Sequence, residues 1–180
     1  MRRVAVIASA SGNGKTTLGR ALAERLGVPF LELDSIYHLP NWGEASAEEL
    51  RARVEPLVAR PGWVIDGTYQ SKLGTLVLDA ADTIVWLDLP IRVWLPRLLR
   101  RTFRRLLLRE NLWNGNRESL RTAFVGRESL FQWALTSHFR RRRELPTALA
   151  GYPVVRLRTP AEVARFLASA RVSPIPAGRG

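Results

Sequence analysis

The sequence predicts a three-layer α/β/α fold on a five-stranded parallel sheet. Three observations lead there. Five short apolar runs are separated by segments with helical spacing, the runs carry apolar residues on both faces, and the first passes straight into a Ser/Gly-rich turn with a lysine. Runs that are apolar on both faces suit strands whose crossover helices hide the sheet from water on either side.

The first strand is expected over Arg3 to Ala8, followed by an amphipathic helix over Lys15 to Leu26. A second strand reads from Pro29 to Leu33. A helix over Ala47 to Val54 follows, opened by Ser46 with Glu49 three residues on, a capping box. Pro56 is expected to end or kink it, because proline lacks the N–H of the helical ladder. Trp63 to Asp66 is the third strand, Leu73 to Ala80 a helix, and Thr83 to Leu89 the fourth strand. Beyond it the pattern predicts a helix over Ile91 to Leu108 and a pair of helices within Arg117 to Arg143, with Gly151 as a stop. Pro153 to Leu157 is the fifth strand. The last helix, Ala161 to Ala170, starts from Thr159-Pro160, with proline at its first position.

With 180 residues, 46% of them hydrophobic, the chain suits one domain over residues 1–171, with a mobile Pro/Gly-rich tail at 172–180. No cysteine is present, which excludes disulfides, thiolate metal sites and cysteine nucleophiles. Neither a run of 18 apolar residues nor a charged-then-apolar leader is found, so a cytoplasmic protein without membrane association is expected. The net charge of +12 is localised: residues 91–143 hold 14 arginines against three glutamates, +11 of the total. A lid wrapping a polyanion, a nucleic-acid face, or a solvated surface written in arginine would each account for it.

Ser9-Ala10-Ser11-Gly12-Asn13-Gly14-Lys15-Thr16-Thr17 lies between the first strand and first helix. This is where a phosphate-binding loop belongs. Small residues let backbone N–H groups curl around phosphate oxygens, and the helix N-terminus adds partial positive charge. Ser11 to Thr17 are the candidate nucleotide contacts: Ser11, Gly12, Asn13 and Gly14 through the backbone, Lys15 toward the β- and γ-phosphates, Thr16 toward Mg²⁺ and Thr17 toward the α-phosphate. Ser9 stands where the loop pattern asks for glycine.

Ligands of an open parallel sheet gather at the carboxyl ends of its strands. Asp34 follows the second strand, with Tyr37, His38 and Trp42 beyond it; Asp66-Gly67-Thr68-Tyr69 ends the third; Asp88 lies in the fourth. Asp66 ends its strand as a Mg²⁺-holding acid does, or else takes hydrogen bonds from the turn at Gly67. Asp34 is either the base that takes a proton from an acceptor hydroxyl or a cap. His38 and His138 are the only histidines, and no zinc site is expected from them. Tyr37, Trp42 and Tyr69 either stack on a planar acceptor or simply pack.

With the loop, Asp66-Gly67-Thr68-Tyr69, Trp86-Leu87-Asp88-Leu89-Pro90 and Asn114-Gly115-Asn116-Arg117-Glu118 in place, the chain resembles the adenylate-kinase-like branch of P-loop NTPases. Within it, the chain is most similar to small bacterial DNA topology modulation proteins. The resemblance spans residues 3 to 170. It implies strand order 2-3-1-4-5, an acceptor-binding insert at about 34–61 and an Arg-rich helical lid at about 109–143. It also implies Arg97 beside the adenine, Arg101 on the transferring phosphoryl, and a further arginine from Arg140 to Arg143, with Arg140 and Arg142 taken as candidates. Lys15 and Asp34 complete the expected catalytic set. Two family arginines that grip an acceptor phosphate have no counterpart: Gln70 occupies one place, and no arginine lies between Leu33 and Trp42. The implied activity is ATP- and Mg²⁺-dependent phosphoryl transfer to a nucleotide or other small-molecule acceptor. The alternative is a nucleic-acid-associated regulator that uses ATP as a switch.

Overall fold

A computed structural model describes residues 1–108, 110–116 and 130–171. Expectations on Arg109, on residues 117–129 of the lid and on the tail at 172–180 lie outside the described residues. Five parallel strands, β1 (Arg3–Ala8), β2 (Phe30–Glu32), β3 (Trp63–Asp66), β4 (Thr83–Leu87) and β5 (Val154–Leu157), form one sheet in the order β2-β3-β1-β4-β5. The predicted order and fold class hold.

Strand periodicity explains the layers. Ala5 and Ile7 of β1 face one side with Ile65, Ile84 and Trp86, while Val4, Val6 and Ala8 face the other with Val64, Val85 and Leu87. The second face is covered by α1 (Lys15–Leu26) and α8 (Pro160–Ser169), whose Leu18, Leu22, Leu26 and Phe166 pack on it. The first is covered by α3 (Ala47–Val58) and α5 (Leu76–Ala80) through Leu50, Val54, Val58, Val77 and Leu78. Each fully buried aliphatic side chain of this kind contributes about 1.5–3 kcal/mol.

Local departures from expectation have identifiable causes. The second strand stops at Glu32, because Leu33 opens the short helix α2 (Leu33–Tyr37) and Ser35 Oγ turns back on the Glu32 carbonyl at 2.6 Å. α3 runs through Pro56 to Val58 instead of ending at Val54. The proline lies in the last turn, and Ala59 N–H still reaches the Glu55 carbonyl. The expected helix over Leu73 to Ala80 is two pieces, α4 (Gln70–Leu73) and α5, divided at Gly74, whose φ is +60°. The fourth strand ends at Leu87, two residues early. α6 (Ile91–Leu107) and α7 (Leu130–Ala148) flank the residues left undescribed. Both caps hold: Ser46 and Glu49 exchange reciprocal bonds, and the Thr159 side chain accepts from Glu162 N–H.

Candidate active site

The turn between β1 and α1 sits at the sheet's centre, at the carboxyl end of β1 between β3 and β4. It is stapled there from below. Asn13 Nδ2 donates to the Ala10 carbonyl at 2.9 Å and Asn13 Oδ1 accepts from Leu89 N–H at 3.0 Å, so this side chain fixes the loop's shape. Gly12 and Gly14 take left-handed backbone (φ +81° and +91°), and a Cβ at Gly12 would lie 2.7 Å from the Trp94 carbonyl oxygen. α1 then begins at Lys15 with no side-chain cap and no acid in its first turn. A helix normally needs an acceptor for its first N–H groups, and a polyphosphate supplies one. The loop fits such a group.

Lys15 and Thr16 meet on one carboxylate. Lys15 Nζ lies 2.6 Å from Asp66 Oδ1 and the Thr16 hydroxyl donates to Asp66 Oδ2 at 2.6 Å. The register of β1 against β3 pairs Val6 with Asp66 and brings them together. Gly67 N–H bonds the Val6 carbonyl rather than Asp66. Glu32, which sequence reasoning missed, lies 3.4 Å from the Thr16 hydroxyl. Burial, then Asp66 and Asp34, push its carboxyl above the usual range. No group of three or more Asp, Glu or His among the described residues is arranged to hold a metal alone. A hydroxyl and one or two carboxylates beside a phosphate loop match the partial shell that Mg²⁺ takes when phosphates and water complete it.

Asp34 occupies the first turn of α2, past the N-cap position, and its Oδ1 accepts from the Tyr69 hydroxyl at 2.6 Å. Burial first, then Asp34, push Tyr69 far above the ordinary tyrosine range, so it stays a donor. Tyr69 and Tyr37 rings lie 4.4 Å apart, and His38 packs against Tyr37, Trp42 and Trp113. The 3₁₀ turns Pro40–Trp42 and Trp113–Gly115 are tied together: Asn114 Nδ2 donates to the His38 carbonyl, Asn116 Nδ2 to that of Leu39, and Asn116 Oδ1 accepts from Trp42 N–H. His138, by contrast, packs inside, against Trp94.

Arg97, Arg101 and Arg140 line the same cleft as Ser11, Thr17, Lys15 and Asp34. Of the two later candidates, Arg140 lies 3.8 Å from Glu144, and Arg142 is drawn off the cleft wall to Asp88 at 3.2 Å. Arg141 takes the inward place. It lines the cleft, donates to the Ala8 carbonyl at 2.9 Å, and feels Asp34 and Tyr69 electrostatically. Asp88, one of the strand-end acids of the sequence, is instead buried and bound by Arg142 and Arg156.

Fold and loop together define an α/β/α protein with a phosphate-binding loop at the centre of its sheet. The shikimate kinase family model matches residues 11–61, from the loop through the insert. A shikimate kinase of Sulfurihydrogenibium is 29% identical over 101 residues, 48% of this chain and 61% of that enzyme, so the match spans under two thirds of the relative. Another, from Ruegeria pomeroyi, is 28% identical over 151 residues, covering 74% of each. In structure, a gluconokinase from Sinorhizobium meliloti is similar with a TM-score of 0.54 and 22% identity, over 94% of this chain and 89% of that one, a likeness of fold.

Proposed function

We propose that this protein transfers the terminal phosphoryl group of ATP to a hydroxyl of a small-molecule acceptor. The observation that carries the reading is the meeting of Lys15 and Thr16 on Asp66 at the uncapped start of α1, with Asp34 open to the same cleft. ATP bound with Mg²⁺ supplies the phosphoryl group and part of the charge neutralisation. The loop amides and Lys15 hold the phosphates, and Thr16 and Asp66 are the residues that would hold the metal. Asp34, fixed by Tyr69, takes the proton as the acceptor oxygen forms its bond to phosphorus and the bond to ADP breaks, ADP leaving with the electron pair. Arg141, with Arg101, faces the developing charge, and Arg97 is the arginine on the adenine side of the cleft.

The names of the relatives favour a polyhydroxylated acceptor over a nucleotide, as does Gln70 in place of a phosphate-gripping arginine. They lend no support to the nucleic-acid-associated alternative. The test is ADP release from ATP and Mg²⁺ with a panel of polyhydroxylated acids, sugars, nucleosides and nucleoside monophosphates. Acceptor-dependent turnover that falls at least about 100-fold in Lys15→Ala is expected, the scale of losing one preorganised donor. ATP binding with no acceptor-stimulated turnover, together with salt-sensitive DNA binding, would shift the reading to the nucleotide switch.

A further inference from the structure

Ser9 occupies the position where phosphate loops of this pattern carry glycine, and its hydroxyl is fully engaged below the loop. Trp86 Nε1 donates to Ser9 Oγ at 2.9 Å, and Ser9 Oγ donates to Asp88 Oδ1 at 2.8 Å. The directions are forced, since an indole N–H only donates and an ionised carboxylate only accepts. Neither Ser9 nor the Asp88 side chain has any exposed surface. Asp88 also binds Arg156 through Oδ2 at 2.6 Å and Arg142 through Oδ1 at 3.2 Å, and the Arg156 guanidinium lies 4.0 Å over the Trp86 ring. The next residue back along α7, Arg141, bonds the carbonyl of Ala8. Two consecutive arginines of α7 therefore grip two consecutive residues at the root of the phosphate loop, one directly and one through Asp88.

We propose that Ser9 and Asp88 are positioning residues: they latch α7 through Arg142 so that Arg141 is held against the loop on the side facing Asp34, where the terminal phosphate of the nucleotide belongs. This rests on the phosphoryl-transfer reading for the identity of the ligand. It also gives part of the arginine run a use: Arg142 docks the helix and Arg141 meets the ligand. A glycine at position 9 would match the common pattern yet leave the buried Trp86 N–H without its acceptor and Asp88 without one donor.

The test compares binding of ADP with binding of the β,γ-imido analogue of ATP, by calorimetry with Mg²⁺, so that no acceptor is needed. Wild-type protein is expected to bind the imido analogue more tightly than ADP. Ser9→Gly and Arg142→Gln are each expected to narrow that preference at least fivefold with ADP affinity kept within twofold. The double variant is expected to be no worse than either single one, because both break the same latch. Arg142 is half-exposed, so its variant reads the latch even if Ser9→Gly fails to fold. Wild-type protein with no preference, an unchanged preference in both variants, equal loss of both nucleotides, or additive losses in the double variant would overturn the proposal. Wild-type protein that binds neither nucleotide would remove the phosphoryl-transfer reading itself and the latch with it.

Discussion

The Tyr69 hydroxyl donates to Asp34 Oδ1 across 2.6 Å, joining the turn after β3 to the helix after β2. Tyr69 makes this bond from left-handed backbone (φ +43°), a conformation that costs a non-glycine residue roughly 1–2 kcal/mol. Strain of that kind persists where the surroundings hold it, here a half-buried phenol against a carboxylate and a second tyrosine ring. Removing the hydroxyl deletes a hydrogen bond to a charged group, worth about 1.5–3 kcal/mol. Tyr69→Phe is expected to lower acceptor-dependent kcat by roughly 10- to 100-fold, on that bond's scale, with ATP affinity unchanged. Steady-state kinetics with each substrate varied would check it, and an unaltered kcat would show that Asp34 acts without being fixed by Tyr69.

Gly12 and Gly14 share left-handed backbone but differ in their surroundings. At Gly14 an added Cβ meets nothing within 4 Å, so Gly14→Ala is expected to cost only the backbone strain, about 1–2 kcal/mol. At Gly12 the same atom would lie 2.7 Å from the Trp94 carbonyl and 2.9 Å from Leu98 Cβ, both in α6. Overpacking then adds about 1–3 kcal/mol to the strain. Urea unfolding should rank Gly12→Ala clearly below Gly14→Ala, and equal midpoints would mean that α6 yields without cost.

The strands and the loop were legible because their signals are local: apolar runs, small residues and a lysine in fixed order. What sequence reasoning missed depends on partners far along the chain. The Ser9 hydroxyl has meaning only beside Asp88 and Trp86, more than 75 residues away. Glu32 carries no local signal of its own, because it ends β2 two residues before Asp34 and gains its place only by reaching Thr16. The choice among Arg140 to Arg143 did carry a readable signal. Ala134, Ser137 and His138 are buried on α7, and the spacing i, i+3, i+4, i+7 from Ala134 lands on Arg141. The break at Gly74 was also legible in principle, since a glycine inside a short helical pattern invites a turn.

Asn116 is buried and holds the 111–116 segment onto the insert by two bonds, to the Leu39 carbonyl and from Trp42 N–H. Alanine there would leave both backbone groups without their partner, at about 1–3 kcal/mol each at most. The aromatic group of His38, Trp42 and Trp113 depends on this register. Asn116→Ala is expected to raise the acceptor KM several-fold more than it alters ATP affinity. Equal effects on the two substrates would show that the tie acts on the whole cleft.

His138 is expected to make stability depend on pH. It is buried against Trp94, and its Nδ1 has no hydrogen-bond partner among the described residues. Burial first, then the Arg142 charge, hold its pKa below the usual histidine value, with Asp88 opposing them. Below about pH 6.5 the unfolded chain therefore binds a proton at this site that the folded chain refuses. Stability rises with pH where the unfolded state holds more protons, so this contribution is complete above the unfolded pKa and is lost as pH falls through that window. Urea midpoints measured from pH 5 to 8 should fall more steeply on the acid side for wild-type protein than for His138→Gln, the difference between them approaching one proton's slope. Parallel curves for the two proteins would mean that the buried imidazole accepts its proton without penalty, through rearrangement of Trp94 or Arg142 around it.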